Sequence, residues 1–298
     1  QLSGHADSEP GRQLCLKISP KTDIKQIRLY QQQTGDALGR LLKNGSTSFG
    51  NNKDVSYITK HLSIGGSLNA DELLLLAGLL ENTSRVKQYG RTGNPINDGS
   101  GHIQNNLQDG NGQSSDAGQD SLTGFFDELE PLTPLSTEVR RCILASDEFA
   151  DDASPALKDI RRKIAATGDK IHSQLNSMVN GSLRSYLMDA VITMRNNRYC
   201  LPVKAEHKGQ VPGMVHDQSS TGSTLFIEPA SIVELNNRLK ELSVAEKEEI
   251  EAILASLSAS FMPYAETIAQ NSRLMTRLDF IFAKGRLALE QNATEPVF

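Results

Sequence analysis

Apolar side chains recur at helical spacing over most of the chain, and several segments carry clear helix boundaries. The first is predicted to begin near Lys21 and to end at Gly45. The second is predicted to begin after Asn69, which can cap its first turn, and to continue to about Tyr89. Acidic residues in the first turn of this second helix favour the same start, because they face the positive end of the helix dipole.

A third helix has the clearest start in the chain, with Ser154 as N-cap and Pro155 at the first helical position. Its apolar side chains repeat every three or four residues, so one face is predicted to pack on another helix. About 26 residues at roughly 1.5 Å each would form a rod of about 40 Å. Helix is predicted again after Pro229, and Pro263 either kinks that element or starts the next helix.

Between the third helix and Pro229, the pattern changes to that of short strands. Residues 191–193 and 198–203 flank a polar Asn-Asn turn, and residues 211–215 and 223–227 flank a Ser-Ser-Thr-Gly turn. This pattern predicts two hairpins. A long helix, a compact sheet and further long helices together predict an arm of antiparallel helices that carries a small β tip.

The composition agrees with a mainly helical fold that has a small antiparallel β part. The 298 residues include no Trp and only 5% aromatic residues, and the 38% of hydrophobic residues can form a core in one large or two ordinary domains. Residues 91–124 are rich in Gly, Asn, Gln, Ser and Asp, and they are predicted to form an exposed insertion or a disordered loop. We assign no chemistry to this insertion.

Charge and cysteine content indicate which partners and which cellular compartment suit the chain. The formal net charge of -5 gives the whole chain no attraction for nucleic acid or anionic membranes, so any such contact must be local. Three widely spaced cysteines, Cys15, Cys142 and Cys200, fit a reducing compartment. The sequence has no apolar run of roughly 18 residues and no apolar signal core, so we expect a cytoplasmic protein without a membrane span. A first residue of Gln1 rather than Met suggests a piece of a longer chain.

The second hairpin contains side chains that resemble catalytic groups. His216 and Asp217 lie beside Ser219, but consecutive strand residues point to opposite faces and no oxyanion loop is evident. A structural role explains them better, because Asp and Ser side chains can bond backbone groups in the turn and Gly222 can adopt a positive φ. We therefore expect no catalytic residue in this chain.

Side chains where the sheet leads into the next helix are also predicted to be structural. Glu228 and Pro229 end the last strand, and Asn236 and Asn237 lie about one turn into the helix, where Asn is otherwise unfavourable. We expect hydrogen bonds between these two pairs to fasten the sheet to the helix, with contact to a ligand as the alternative. The six histidines show no metal-binding spacing and the chain has no phosphate-binding G-x-x-x-x-G-K-[ST] element, so no metal or nucleotide site is expected.

A local surplus of positive charge favours contact with a polyanion. Between residues 184 and 208, five basic residues outnumber Asp189 and Glu206, which leaves a charge of +3. Such a surface could contact DNA phosphates with salt-dependent affinity. Alternatively, Arg195 and Arg198 could pair with Asp189 or Glu228. The candidate nucleic-acid contacts are Arg184, Arg195, Arg198, Lys204 and Lys208.

Three neighbouring motifs carry a resemblance to a known family. They are TMRNNRYCLPVK from Thr193, GMVHDQSSTGSTLFIEP from Gly213 and VELNNRLKEL from Val233. In this order they closely resemble the clamp region of the MutS type II family, and the DDASPALKDIRRKI and LDFIFAKGRLA segments on either side are similar to the same family. The resemblance covers roughly residues 151–296, whereas the first 150 residues match through helix pattern and position.

The resemblance implies an architecture and a polymer partner. Residues 1–150 would be a helical core, and residues 151–298 would be lever helices that carry a β clamp at about residues 186–230. The clamp would contact duplex or branched DNA with low specificity, in mismatch-repair-like DNA metabolism and recombination control. The alternative is a structural arm that grips a ribosomal or other protein partner.

The resemblance also implies what this chain does not do alone. Family members are homodimeric ATPases with a P-loop domain, which uses ATP and Mg²⁺, and usually a C-terminal Smr nuclease domain. Both domains follow the region that the motifs match. We therefore expect a lever and clamp segment that is not an enzyme and holds no cofactor itself.

Overall fold

The computed structural model describes residues 1–50, 52–92 and 120–297. Contacts divide the chain into two compact units, of which unit 1 is Gln1–Glu148 with Leu254–Phe298 and unit 2 is Phe149–Ile253. The division falls inside the eighth helix, which therefore contributes residues to both units. Most described residues are helical and the sheets are small and antiparallel, so the predicted fold class is confirmed at this level.

The elements follow in chain order. The helices are α1 (Glu9–Leu16), α2 (Ile24–Asn44), α3 (Ser56–Ser63), α4 (Ala70–Arg91), α5 (Thr123–Asp127), α6 (Thr133–Cys142), α7 (Pro155–Asn180), α8 (Val233–Phe261) and α9 (Ala265–Gln291). The strands are β1 (Ile143–Ala145), β2 (Glu148–Phe149), β3 (Thr193–Arg195), β4 (Arg198–Lys204), β5 (Gly213–Gln218) and β6 (Thr224–Pro229). Within the described ranges, none of the helices has both the length and the apolar character needed to cross a membrane.

The three helices with clear boundaries in the sequence form as predicted. α2 ends at Asn44, and Gly45 follows it with a φ of 72°. The Asn69 side chain accepts a hydrogen bond from the Glu72 N–H, and the Glu72 side chain accepts one from the Asn69 N–H, so a reciprocal capping pair starts α4. Ser154 caps α7 through its hydroxyl group.

Other boundaries differ from the sequence pattern or go beyond it. The chain is interrupted at Pro263, and the interruption takes the form of a 3-10 turn, Met262–Tyr264, that separates α8 from α9. The sequence does not reveal α1, α3 or the β1–β2 hairpin. Elements of eight residues or fewer contain too few repeats of an apolar pattern to be recognised by period.

Only the ends of the predicted insertion 91–124 belong to the described residues, and residues 93–119 lie outside them. The C-terminal end is part of the folded unit rather than an exposed loop. Leu122 is fully buried, Asp120 forms an ion pair of 2.6 Å with Arg40, and the Ser121 N–H donates to Asp36. The α5 helix begins directly after these contacts, at Thr123.

An aromatic cluster around α9 fills the centre of unit 1. The ring of Phe282 lies between those of Phe49, Tyr89 and Phe126, with centroid distances of 5.6 to 6.3 Å. Tilted and edge-on ring pairs at this distance are favourable beyond the apolar area that they bury. Residues from α2, α4, α5 and α9 meet in this cluster, so the core joins parts of the chain that are distant in sequence.

A buried carboxylate ties the N-terminus to α9. Asp279 is fully buried and accepts hydrogen bonds from the backbone N–H groups of Asp7 and Ser8 and from the Ser8 hydroxyl. The nearest cation, Arg286, lies 3.9 Å away. Gly11 leaves room for this contact, because a Cβ atom at that position would lie 2.2 Å from an Asp279 oxygen.

Unit 2 contains both predicted hairpins in one four-stranded sheet of order β3-β4-β6-β5. Asn196 and Asn197 form the first turn with φ values of 50° and 58°, as a two-residue type I′ turn requires. Leu201 is opposite Ile227 in the β4–β6 register, so cross-strand apolar pairs share one face. That face forms a core with residues of α7 and α8, including Ile171, Leu175, Leu235 and Leu239.

Candidate functional site

Buried Glu228, at the end of β6, is the centre of the polar contacts in unit 2. Its carboxylate lies 2.7 Å from Nη1 of Arg198 and 2.5 Å from Nε2 of His216. It also accepts a hydrogen bond of 2.7 Å from the Asn236 side-chain amide. β6 lies between β4 and β5 in the sheet, so side chains from both neighbours and from α8 can reach one carboxylate.

The charge of Glu228 is satisfied within the protein. Burial by itself would raise its pKa, because a carboxylate loses hydration inside the protein. Hydrogen bonds from Asn236, His216 and Arg198, and the positive charge of Arg198, outweigh burial and hold the pKa of Glu228 below its usual value. Glu228 is therefore an anion paired to a cation at neutral pH, which favours a structural role over one in binding ligands.

Asn236 continues the β ladder where β6 cannot. The β4–β6 register, extended by two residues beyond Leu201 and Ile227, places Tyr199 opposite Pro229, which has no N–H to donate. The Asn236 side chain supplies the missing groups: its amide donates to the Tyr199 carbonyl and its carbonyl accepts from the Tyr199 N–H, both at 3.2 Å. The side chain of a buried Asn at the start of α8 therefore forms the two hydrogen bonds that the backbone of a paired strand residue would otherwise form.

The neighbouring residue Asn237 adds an outer contact to the same joint. Its side-chain oxygen accepts a hydrogen bond of 2.5 Å from the second guanidinium nitrogen of Arg198. The backbone N–H of Ile232 donates to the Pro229 carbonyl and closes the connection between strand and helix. The structure thus brings the predicted joint pairs together, with Arg198 between Glu228 and Asn237.

The residues of the second hairpin have separate contacts and do not form a catalytic relay. His216 faces Glu228, whereas Asp217 pairs with Arg195 at 3.2 Å. The Ser219 hydroxyl accepts a hydrogen bond from the Thr224 N–H within the turn.

Gly222 has a φ of 74°, a conformation that suits Gly in this turn. Asp217 also forms a side-chain-to-backbone contact next to this turn, because its carboxylate accepts a hydrogen bond of 2.8 Å from the Gln218 N–H. Its partner Arg195 also stacks on the ring of Phe226 at 3.9 Å.

The five candidate basic residues fall into two groups. Arg195 and Arg198 lie at the β3–β4 turn and are engaged in ion pairs with Asp217 and Glu228. Lys204 lies at the other end of β4, roughly 20 Å away at about 3.3 Å per residue. Its Nζ contacts the Ser185 carbonyl, next to exposed Arg184, and exposed Lys208 follows in the 3-10 segment after β4.

Local pairing reduces the charge surplus that the sequence suggests. When Asp217 and Glu228 are included, residues 184–230 contain five basic and four acidic side chains, which leaves +1. Of the five candidate residues, the three that form no ion pair lie near the Lys204 end of β4. Among the described residues, Arg184, Lys204 and Lys208 belong to none of the ion pairs, and we call them the basic end of the sheet.

Comparison with curated proteins decides the family. A protein of Agathobacter rectalis named Endonuclease MutS2 is 48% identical over 298 residues, which is 100% of this chain and 35% of that protein. Proteins with the same name from Lachnoclostridium phytofermentans and Lachnospira eligens are 46% and 40% identical, over 100% of this chain and 36% and 35% of their own lengths. The chain belongs to the MutS type II family.

The similarity to MutS type II proteins includes residues 1–150, where the motifs alone are least informative. The chain spans 35–36% of the length of these relatives. No protein-family model matches it.

Possible metal ligands and the thiol of Cys200 are the remaining chemical features of this MutS type II chain. The described residues contain no group of three His, Cys, Asp or Glu side chains that could hold a metal ion. Cys200 is buried in β4, where burial and the charge of Glu228 raise the pKa of its thiol to about 11. A thiol with this pKa is protonated at neutral pH, so Cys200 is a small core residue.

Sequence reasoning missed the contact between His216 and Glu228. Strand alternation puts neighbouring residues on opposite faces, but a bulge between Val215 and Asp217 changes the register at His216. The register that the second turn sets at Gln218 and Leu225 would, without the bulge, place Val215 opposite Glu228 and His216 on the other face. A bulge, however, leaves no clear mark in a single sequence.

Proposed function

We propose that this chain contributes DNA binding and dimer architecture to a longer MutS-like protein that acts in recombination control and mismatch-repair-like DNA metabolism. The supporting observation is the basic end of the sheet, whose cations have no acidic partner among the described residues. By resemblance, the longer protein is an ATPase that uses ATP and Mg²⁺ and carries a nuclease domain. The name Endonuclease MutS2 of its relatives agrees with the nuclease part of that proposal.

The chemistry of the basic end fits phosphates better than bases. Lysine is a mobile point charge without the fixed fork that reads base edges, so Lys204 and Lys208 suit contacts to the DNA backbone. Arg195 and Arg198 are held by their ion pairs and would have to leave them to reach a phosphate. DNA binding should therefore be weak, independent of sequence and dependent on salt.

Charge reversal within unit 2 tests the proposal. A triple variant with Arg184→Glu, Lys204→Glu and Lys208→Glu should weaken binding of duplex DNA, and it should lower the slope of log affinity against log salt by about three if each residue contacts one phosphate. A fluorescence anisotropy titration at several salt concentrations measures both quantities. The matched control reverses three exposed lysines on α7 and α8 (Lys158, Lys170 and Lys240) and should change binding much less.

Two results of this titration would contradict the proposal. If both triple variants lose affinity equally, the contact does not lie at the basic end of the sheet. If the wild-type chain binds DNA with an affinity independent of salt, phosphates do not dominate the contact at all.

The alternative function, an arm that grips a ribosomal or other protein partner, is supported by apolar side chains exposed on both edge strands. Met194 on β3 and Met214 on β5 are 49% and 55% exposed, and Met side chains adapt to protein surfaces. A Met194→Gln and Met214→Gln double variant should leave DNA affinity unchanged under the first proposal. Light scattering of the same samples would report whether these residues or the chain itself support a dimer.

A further inference from the structure

Unit 1 contains a cavity that the proposed DNA contact does not use. Its volume is about 610 Å³, within the range of pockets for small organic molecules. Its walls are formed by α1, α2 and α9 and by the segments around residues 17–21 and 293–296. Most of the lining is apolar, with Leu14, Ile27, Leu38 and Phe280 among the lining side chains. A ligand for this cavity therefore needs an apolar body.

A partly buried cation, Lys284 of α9, lines the cavity. Its Nζ lies 5.0 Å from the ring centroid of Phe280 and 5.5 Å from that of Tyr30, so aromatic faces supply its closest stabilising contacts. The ion pairs of the described residues do not include Lys284. Burial lowers the pKa of Lys284, because an ammonium group loses hydration there.

The remaining charged groups around the cavity are unbalanced. Lys17 and Lys21 line it together with Lys284, and Glu295 is the one acidic side chain in its described lining. Three cations against one anion favour a ligand of negative charge. The same ligand must cover apolar walls, which excludes a compact inorganic anion as a good fit.

We propose that this cavity binds a small monoanion with an apolar body, of the aromatic or aliphatic carboxylate or sulfonate class, with its anionic group beside Lys284. An ammonium ion without a counterion is costly in a partly dry site, and a ligand anion would offset that cost through a charge-assisted hydrogen bond. A neutral ligand of the same shape would gain only the apolar contacts. The proposal is independent of DNA binding in unit 2.

Two fluorescent probes separate the charge from the apolar body. Anilinonaphthalene sulfonate carries one negative charge, and N-phenyl-1-naphthylamine has nearly the same body without the sulfonate. A Lys284→Met variant keeps an unbranched apolar side chain and removes the charge. We expect this variant to bind the sulfonate about tenfold more weakly or worse, and the neutral probe within about twofold of wild type.

The control variant Lys43→Met removes an exposed lysine of α2 that does not line the cavity, and it should leave both probes unchanged. Equal loss of both probes in Lys284→Met would overturn the charge pairing. An unchanged affinity for the sulfonate would overturn it as well.

A second variant tests the location. Gly35 lines the same cavity within α2, and a Cβ atom there would meet nothing within 4 Å. Gly35→Trp should therefore fold, since Gly is unfavourable within a helix, and its ring should occupy the cavity. We expect both probes to lose their saturable binding while far-ultraviolet circular dichroism stays unchanged. Retained binding of both probes would place them elsewhere and overturn the proposal.

Discussion

Glu228 of unit 2 and Asp279 of unit 1 are both fully buried carboxylates, yet their pKa values move in opposite directions. Burial is the largest influence on each and raises the pKa of both. Around Glu228, hydrogen bonds and Arg198 at 2.7 Å reverse this effect. Around Asp279, hydrogen bonds from Asp7 and Ser8 do not, and the negative charge of Asp7 adds to the rise.

The difference shows what sets the charge of a buried acid. Both groups accept hydrogen bonds, so the number of donors does not distinguish them. Two differences do distinguish them: Asp279 lies deeper in the protein, and only Glu228 has a cation in direct contact, whose Coulomb attraction grows as distance falls and as water is excluded. Arg286, at 3.9 Å from Asp279, is also shared with Asp7.

The largest loss of stability should come from removing the Glu228 carboxylate of unit 2. Glu228→Leu leaves Arg198, His216 and Asn236 without their shared partner, and breaking a buried ion pair on one side costs about 3–5 kcal/mol. Denaturation by urea, followed by hydrogen exchange of unit 2 amides, measures the loss. The control Glu206→Leu changes an exposed acid and should cost much less. A loss below about 1 kcal/mol would show that Glu228 does not organise the joint.

A smaller effect should follow from removing its amide partner. Asn236→Ala leaves the N–H and the carbonyl of Tyr199 unpaired and removes a hydrogen bond to Glu228, at a cost of about 2–3 kcal/mol. The neighbouring Asn237→Ala removes one exposed contact to Arg198 and should cost less than about 1 kcal/mol. The same urea experiment on both variants tests the ranking. Equal losses of stability in the two variants would contradict the conclusion that the Asn236 side chain pairs the Tyr199 backbone.

Adding a methyl group beside Asp279 in unit 1 should destabilise the protein less than either change in unit 2. Gly11→Ala places a Cβ atom 2.2 Å from an Asp279 oxygen, and relief of that overlap should cost about 1–2 kcal/mol. The control Gly168→Ala, in α7, meets nothing within 4 Å and should be neutral or stabilising. Thermal unfolding of both variants gives the comparison. A stable Gly11→Ala protein would mean that the Asp279 contact yields easily.

Lowering the pH should change the stability contributed by Glu228 and by Asp279 in opposite directions. Glu228 has a lowered pKa in the folded state, so its stabilisation is present above its unfolded pKa and is lost as pH falls below about 4. Asp279 has a raised pKa, so its contribution is fully present below its unfolded pKa and is lost as pH rises through the folded value.

Stability of the wild type minus that of Glu228→Gln should therefore shrink towards low pH, whereas wild type minus Asp279→Asn should grow. Urea midpoints between pH 7 and about pH 4 test both signs. The same trend in both differences would remove the contrast between the two sites.

Local signals predict the helices of this chain better than its contacts. Ser154, Asn69 and Gly45 act within a few residues of their own helices, so a sequence is sufficient to interpret them. The Asn196-Asn197 turn likewise identifies the first hairpin. Short elements such as α1 and β1 depend on tertiary contacts and are not visible in the pattern.

The sites required information that no local pattern contains. Ser8 meets Asp279 across 271 positions of sequence, and Arg198 meets Glu228 across 30. The sequence does suggest Glu228 as one possible partner of Arg198, but it cannot choose between Glu228 and Asp189. That choice depends on the β4–β6 register and, for His216, on a bulge.

The side chain of Asn236 also protects the chain from unwanted association. A strand backbone with unpaired N–H and carbonyl groups can pair with the strands of other polypeptides. Without Asn236, the backbone groups of Tyr199 beside Pro229 would be unpaired in this way. Because the protecting amide belongs to the first turns of α8, the protection lasts only while that part of the helix is folded. Partial unwinding of α8 would therefore leave the Tyr199 backbone free to pair with another chain. The same unwinding would break the hydrogen bond between Asn236 and Glu228 that holds the sheet to the helix.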